Sequence, residues 1–157
     1  MALYLGIDIG TSASKGVLID DRCNIVCQAS CGHETDNPCD GWYQHDAEAV
    51  WWGDFCRLSR ELVARSGVNA AQIGCVGLSA LGCDCVPVDT ECNALAPAIL
   101  YGVDARSKPQ IDELLSEYGS DRARELFGHV PVRQILLPRS CGLRRICPRC
   151  TNVPRSS

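Results

Sequence analysis

The chain has 157 residues, of which 46% are hydrophobic and 22% are charged, a composition that suits one globular domain and excludes a disordered chain. The longest nearly continuous apolar stretch, residues 94–101, is far shorter than the roughly 18 residues of a membrane span, and no positively charged signal sequence opens the chain. Residues 1–129 contain all 19 acidic residues but only nine Lys and Arg, which argues against nucleic acid as the main partner.

Twelve cysteines are a high number for a chain of this length. Because no signal sequence is evident, we expect a reduced, cytoplasmic protein in which cysteines pack as small hydrophobic residues. A disulfide framework or a metal site is the alternative. The pair Cys147 and Cys150, with Cys141 nearby, offers too few ligands for a structural zinc ion, which usually takes four, so zinc binding is not expected.

The first part of the chain predicts three consecutive strands. Apolar and polar residues alternate over residues 3–9, and further strands are predicted over residues 15–19 and about residues 24–31. The third segment places four residues on one face, Ile25, Cys27, Ala29 and Cys31. Since alternation alone explains this cysteine spacing, no metal is needed to account for it, and we expect a meander of three short strands.

A polar segment over residues 32–45 then leads into a predicted helix. Asp46 is a favourable N-cap, and Ser66-Gly67 supplies a plausible end. Between them, one apolar stripe at helical spacing contains Trp51, Phe55, Leu58 and Leu62. This stripe favours packing, rather than stacking on a ligand, as the role of Trp51 and Trp52.

Downstream of this helix, residues 73–79 form a continuous apolar run that predicts a buried strand. Residues 84–89 predict another strand, at an edge or bulge because the segment contains a proline. The remaining predicted elements are an extended piece over residues 96–100, a helix over residues 107–118 followed by a glycine, and helical turns over residues 121–127. This order of strands and helices predicts a mixed α/β fold.

The end of the first strand carries a motif suited to phosphate. Asp8 lies at the strand tip, Gly10 opens a tight turn, and Thr11, Ser12 and Lys15 follow. Hydroxyl and backbone N–H donors on a closely approaching backbone bind phosphate oxygens, and a carboxylate holds magnesium directly or through water. An ordinary hairpin turn that contains Asp and Gly is the alternative, and the pattern is not a Walker loop.

The segment from Tyr4 to Lys15, Tyr-Leu-Gly-Ile-Asp-Ile-Gly-Thr-Ser-x-x-Lys, resembles the opening of the FGGY carbohydrate kinases. Three further blocks resemble this family in the same order: residues 41–46 with the tryptophans at 51 and 52, residues 73–79, and residues 97–106, which end in Asp-x-Arg. The resemblance covers about residues 4–128 and is closest to the xylulokinase-like members.

This resemblance implies a ribonuclease-H-like, actin-like ATPase domain over residues 1–129, with a mixed sheet and flanking helices. It implies transfer of the γ-phosphoryl group of ATP, with Mg²⁺, to a hydroxyl of a sugar or polyol. Near the phosphates and the metal it places Asp8, Gly10, Thr11, Ser12 and Lys15, with Asp8 holding Mg²⁺ indirectly. In or near the sugar pocket it places Leu81, Gly82, Cys83, Asp84, Tyr101, Asp104 and Arg106. Carboxylates and guanidinium groups orient sugar hydroxyls, and an aromatic ring covers an apolar sugar face.

Some of these residues have simpler alternatives. The alternative for Asp104 and Arg106 is a surface ion pair that contributes little to stability, and the alternative for Asp84 is a turn cap. No catalytic role is assigned to the three histidines, His33, His45 and His129. Two cysteines depart from the family: Cys83 stands where xylulokinases carry a histidine, and Cys92 lies in a turn where the family usually has glycine, so a positive φ would strain it.

Residues 130–157 carry six arginines and no acid, and after Pro138 the resemblance is lost. We interpret this tail as aberrant, for example out of frame, and expect it to be disordered. The family's general-base aspartate and its C-terminal domain lie beyond residue 157. No catalytic residue is therefore predicted here, and the chain alone is expected to show little or no turnover.

Without the C-terminal kinase domain, the surface that this domain would cover is exposed, so we expect the chain to self-associate. Two functions of other classes remain open from the sequence. One is a non-catalytic remnant that binds sugar or phosphate, and the other is a cysteine-rich metal or redox protein.

Overall fold

The computed structural model of the protein describes residues 2–132, which separate into two compact units. Unit 1 comprises residues 2–35 and 46–81, and unit 2 comprises residues 36–45 together with the described residues from 82 onward. The strands are β1 (Leu3–Ile9), β2 (Ala13–Asp20), β3 (Ile25–Gly32), β4 (Gln44–His45), β5 (Ile73–Ser79) and β6 (Ala98–Ile99), and the α-helices are α1 (Gly53–Ser66) and α2 (Lys108–Phe127). No helix among the described residues is long and apolar enough to cross a membrane. The predicted tail lies, apart from residues 130–132, outside the described residues, as do Cys141, Cys147 and Cys150.

Unit 1 is built on a four-stranded mixed sheet in the order β3-β2-β1-β5. The first three strands form the antiparallel meander that the sequence predicts, while β5 runs parallel to β1. A parallel neighbour needs a crossover connection, and here α1 supplies it.

One face of this sheet packs against α1 and forms the core of unit 1. The alternation of β1 directs four apolar residues to this face, Leu3, Leu5, Ile7 and Ile9, each at most 4% exposed. They meet Leu58 and Leu62 of the predicted helical stripe, which are fully buried. A Cβ on Gly16 would lie 2.8 Å from a Leu62 methyl and 2.9 Å from an Ile7 methyl, so glycine at this position of β2 lets the helix approach closely.

The ends of the helical segment match the sequence, but its first turns differ from the prediction. The Asp46 carboxylate caps the segment by accepting the N–H of Ala49 at 2.9 Å, and Gly67 ends it with φ of 67°. Residues 47–52 form a π-helical stretch rather than α-helix, because the Gly53 N–H reaches back to the carbonyl of Glu48.

One burial prediction in unit 1 is wrong. The strand over residues 73–79 is present, but it is largely exposed instead of buried, with Val76 and Leu78 49% and 64% exposed. As an edge strand, β5 pairs only with β1 in this sheet, and Ile73 at its start packs against the core cluster while Val76 and Leu78 stay exposed. In β3, Cys27, Ala29 and Cys31 pack toward the core as expected, whereas Ile25 at the start of the strand is exposed.

Unit 2 contains less regular structure than the sequence predicts. The predicted strand over residues 84–89 is wrong, because only isolated bridges pair Cys85 with Ile99 and Val88 with Ala94. Pro87 has no N–H to donate, and its carbonyl accepts a hydrogen bond from Leu95, so no continuous ladder forms. The two-residue strands β4 and β6 pair antiparallel to each other.

The predicted break in the last helical region is confirmed. Within α2, Gly119 has φ of 72° and ψ of 159°, a conformation that interrupts the helix between the two predicted helical segments. Pro109 lies in the first turn, where its missing N–H has no helical partner to lose.

The prediction for the cysteines is partly wrong. Of the nine cysteines in the described part of the chain, none forms a disulfide, and five are exposed instead of packed: Cys23, Cys39, Cys75, Cys83 and Cys92. Three of these five adopt positive φ, which places them in turns at the surface. Within residues 2–132, the cysteines that pack against the core of unit 1 are Cys27 and Cys31, because strand alternation directs them to the inward side of β3.

Candidate functional site

The face of the sheet opposite α1 brings together the charged candidates of unit 1. Asp8 pairs with Lys15 on β2 and with Ser79 on β5, and Lys15 pairs in turn with Ser30 on β3. Because directly paired residues point to the same face, these four exposed side chains form a row across the sheet. They contribute to the lining of an open concavity of about 940 Å³.

The turn after β1 is tightly closed. The Gly10 N–H donates to the carbonyl of Ala13 at 3.1 Å, and a Cβ on Gly10 would lie only 2.8 Å from that carbonyl oxygen. This position therefore requires glycine, as the phosphate-turn prediction supposed. Thr11 and Ser12 are exposed at the tip of the turn, beside the row that begins with Asp8.

The segment that follows β3 contacts the backbone of the same turn. His33 Nε2 lies 3.0 Å from the Gly10 carbonyl oxygen, and the His33 backbone N–H donates to the Ser12 carbonyl at 3.1 Å. The hydroxyl of Thr35 donates to the Thr11 carbonyl at 3.2 Å. Each of the three carbonyls in the turn thus has a partner in residues 33–35.

A buried carboxylate in α1, that of Asp54, contacts the side chain of His33. Asp54 is 1% exposed, and its Oδ2 accepts the Ser14 hydroxyl at 2.8 Å and lies 2.7 Å from His33 Nδ1. Burial raises the pKa of Asp54, but hydrogen bonds from Ser14, His33 and Cys31 and the charge of His33 together hold it below the ordinary value. Burial, with the hydrogen bond to Asp54 and its charge, raises the pKa of Cys31, which keeps that thiol protonated as a donor.

In unit 2, Asp104 and Arg106 form a buried pair. Arg106 Nε donates to Asp104 Oδ2 at 2.9 Å, and the same oxygen accepts the Tyr43 backbone N–H at 2.8 Å. The Arg106 guanidinium also donates to Gln44 at 3.2 Å and stacks over the Trp42 ring at 4.4 Å. Because Asp104 is 2% and Arg106 7% exposed, the alternative of a weak surface ion pair is wrong.

The other sugar-pocket candidates occupy loops. The Asp84 carboxylate accepts the backbone N–H of Tyr101, a residue that is 47% exposed, and the bridge between Cys85 and Ile99 holds these two loops side by side. Cys83 is exposed with φ of 63°. Gly82 is exposed beside it, while Leu81 belongs to unit 1, where it lines an apolar groove with Trp51 and Trp52.

Sequence reasoning missed His33, Thr35 and Asp54. The only signal in the sequence was Asp54 itself, since it lies one helical turn before Leu58 on a stripe that is otherwise apolar. A carboxylate on the buried face of a helix needs hydrogen-bond donors, yet nothing in the sequence identifies His33 as one of them. Within residues 2–132 no group of three His, Cys, Asp or Glu side chains is arranged to hold a metal ion.

Several known proteins are similar to this chain in sequence and fold. The model of the FGGY family of carbohydrate kinases, N-terminal domain, matches residues 3–132. A glycerol kinase from Methylorubrum extorquens is 27% identical over 122 residues, which cover 78% of this chain and 24% of that protein. The solved structure of a xyloylose kinase from Brucella ovis superposes with a TM-score of 0.80 at 27% identity, covering 98% of this chain and 31% of that chain.

The glycerol kinase of Plasmodium falciparum, solved with ADP, gives a TM-score of 0.80 at 22% identity and supports the fold alone. The chain spans about a quarter of the length of the curated relatives it matches and less than a third of the solved kinases. The predicted fold class, a ribonuclease-H-like, actin-like ATPase domain with a mixed sheet, is confirmed. From its match over residues 3–132 to the N-terminal domain, this chain belongs to the FGGY family of carbohydrate kinases.

Proposed function

We propose that these residues form the phosphate-binding and part of the sugar-binding region of a kinase that transfers the γ-phosphoryl group of ATP to a sugar or polyol hydroxyl. The observation that carries this proposal is the row of Asp8, Lys15 and Ser79 beside the tight turn that Gly10 opens. Phosphoryl transfer depends mainly on positioning the phosphates and neutralising their charge. An exposed ammonium group, two hydroxyl residues and backbone N–H groups at one strand end supply both.

Magnesium fits this arrangement. Asp8 presents an exposed carboxylate at the carboxyl end of β1, and the hydroxyl-bearing Ser79 is its neighbour on β5. Carboxylate and water oxygens are the ligands that Mg²⁺ prefers. In the proposed kinase Asp8 would hold the ion, directly or through water, and the ion would neutralise phosphate charge when bound.

The sugar-binding role is proposed for the loop residues of unit 2, and separately for Leu81 of unit 1. Tyr101 is exposed enough for its ring to cover a sugar face, and Asp84 fixes the backbone of that residue. Asp104 and Arg106 are buried, so we propose that they act by holding Trp42, Tyr43 and Gln44 in place rather than by extensive contact with the sugar. Cys83 stands where xylulokinases carry a histidine. The identity of the acceptor, a sugar or a polyol, is therefore determined by the substrate panel described below.

The phosphate proposal is tested by calorimetry with Mg·ATP. We expect the chain to bind Mg·ATP and Lys15→Gln to weaken binding about tenfold, because a charge-assisted phosphate contact is lost. Lys108→Gln is the matched control, since Lys108 pairs with Asp112 on the exposed surface of α2. Absence of Mg·ATP binding by the unmodified chain, or equal effects of the two variants, contradicts the proposal.

Turnover is tested separately by coupled ADP release with a panel of pentuloses and polyols that includes xylulose and glycerol. We propose that the 157-residue chain by itself shows little or no turnover, because the family resemblance places the general base outside the matched residues 3–132. Robust ADP release by the 157-residue chain contradicts this. Sugar binding without any Mg·ATP binding would instead identify a non-catalytic sugar-binding module.

A further inference from the structure

Residues 33–35 fix the backbone orientation of the proposed phosphate turn. Consecutive carbonyls of Gly10, Thr11 and Ser12 each accept a hydrogen bond from this segment, at 3.0, 3.2 and 3.1 Å. The donors are the His33 ring, the Thr35 hydroxyl and the His33 backbone N–H. We refer to His33 and Thr35 as the carbonyl clamp.

The clamp determines where the donors of the turn point. In a trans peptide the carbonyl of one residue and the N–H of the next point in opposite directions, and the described part of the chain contains no cis peptide bond. Carbonyls of Gly10 and Thr11 that are held by the clamp therefore direct the N–H groups of Thr11 and Ser12 away from it. Adjacent backbone N–H groups with a common direction are a typical phosphate-binding arrangement.

The His33 ring is itself held in one orientation. Its Nδ1 lies 2.7 Å from Asp54 Oδ2, and the Ser14 hydroxyl donates to that same oxygen at 2.8 Å. The side chains of His33 and Asp54 are 7% and 2% exposed, so water does not compete freely for these bonds. The chain of contacts runs from α1 through the His33 ring to the Gly10 carbonyl, which ties the turn to the core of unit 1.

We infer that His33 and Thr35 are positioning residues that preorganise the N–H groups of Thr11 and Ser12 for phosphate. This inference rests on the proposed phosphate-binding function and adds to it two residues that contact the carbonyls of the turn. Preorganised donors bind without first paying the entropy of ordering the loop. Removing a clamp contact is therefore expected to weaken phosphate binding without removing any group that touches phosphate.

Thr35 provides the cleaner test, because Thr35→Val removes the hydroxyl at nearly constant volume. We expect Thr35→Val to weaken the binding of Mg·ATP and of pyrophosphate about fivefold in calorimetry, the equivalent of one neutral hydrogen bond. Thr35→Ser, which keeps the hydroxyl, should bind both probes with an affinity within about twofold of that of the unmodified chain. Thr90→Val makes the same change in an exposed turn of unit 2 and should leave affinity unchanged.

His33→Gln is the second variant, and it should also weaken the binding of both probes. Urea unfolding of every variant accompanies the titrations, and Thr35→Val should lower affinity while keeping the unfolding midpoint of the unmodified chain. The positioning role of the clamp is overturned if Thr35→Val binds the probes as tightly as the unmodified chain. It is also overturned if Thr35→Ser binds them as weakly as Thr35→Val. Both results count even if His33→Gln does not fold. If the unmodified chain binds neither Mg·ATP nor pyrophosphate, the proposed phosphate site itself is overturned. This result comes from the unmodified chain alone, so it is distinguishable from failure of the clamp.

Discussion

The imidazole of His33 and the carboxylate of Asp54 form a buried contact at 2.7 Å that joins the loop after β3 to helix α1. The other ring nitrogen of His33 faces the Gly10 carbonyl, which only accepts hydrogen bonds. Both nitrogens thus face acceptors. Burial raises the pKa of Asp54, but hydrogen bonds from Ser14 and His33 hold it below its ordinary value.

This contact predicts an acid-sensitive contribution to stability. Hydrogen bonds hold the pKa of Asp54 below its ordinary value in the folded state, so the unfolded chain takes up this proton first as the pH falls. The contribution is therefore complete above about pH 4 and is lost as the pH drops through the lowered pKa. We expect Asp54→Asn to reduce the free energy of unfolding at pH 7 by about 3 kcal/mol and to weaken its decline below pH 4.

Urea denaturation followed by tryptophan fluorescence between pH 7 and pH 2 measures this effect. Asp20 and Asp89, whose pKa values are also lowered, mainly by hydrogen bonds from Asn24 and Asn93, contribute to the same decline and remain in the variant. Asp121→Asn is the control, because this carboxylate is 99% exposed and should leave the profile unchanged. Parallel acid profiles for the unmodified chain and Asp54→Asn would show that Asp54 makes no such contribution.

The buried pair in unit 2 predicts a large effect of a small change. Asp104→Asn keeps the shape of the side chain but leaves the Arg106 guanidinium buried without its charge partner and weakens the contact to Tyr43. We expect it to cost about 3–5 kcal/mol of the free energy of unfolding, measured by urea titration. Lys108→Ala disrupts an exposed ion pair with Asp112 and should cost less than about 1 kcal/mol. Similar small losses for both variants would contradict the structural role given to Asp104.

A third prediction concerns Cys92, where the expected strain of a non-glycine residue is present. Cys92 adopts φ of 65° in a turn closed by its N–H, which donates to the Asp89 carbonyl at 3.2 Å. The left-handed conformation costs an ordinary residue about 1–2 kcal/mol, so Cys92→Gly should raise the thermal unfolding temperature. Cys39→Gly is the matched control, because Cys39 is exposed in a turn without positive φ and should lose stability through backbone entropy. An equal response of both variants would mean that φ at Cys92 carries no strain.

Local patterns in the sequence predicted the meander and the helix well. The alternation in residues 3–9 and the stripe through Leu58 and Leu62 each report on one face of one element, and burial on that face confirmed both. The apolar run in β5 was misleading for a physical reason. Such a run is typical of a strand that is buried on both faces. Burial, however, depends on which other elements pack against the strand, and the residues of the strand do not reveal those elements.

Long-range pairings account for the rest of what was missed. His33 and Asp54 are 21 residues apart, and Asp104 reaches Tyr43 across 61 residues, so neither contact leaves a periodic signal. Turn chemistry was easier to predict, since Gly10 and Gly67 are required by local geometry that the sequence displays. The glycine of the turn after β1 was thus predictable, while the residues that contact the carbonyls of that turn were not.

The exposed edge of unit 1 predicts concentration-dependent association. Val76 and Leu78 on β5 are 49% and 64% exposed, and an apolar groove beside them contains Trp51, Trp52 and Phe55. Edge strands with exposed apolar side chains pair with other chains, and a charge on the edge opposes this. We expect Leu78→Lys to lower the average mass in sedimentation equilibrium at high concentration, because a lysine placed on this edge disfavours pairing with a second copy. Val88→Lys changes a similarly exposed apolar residue in unit 2 and should leave association as it is. A monomeric unmodified chain at all concentrations, or equal effects of the two variants, would remove β5 as the associating edge.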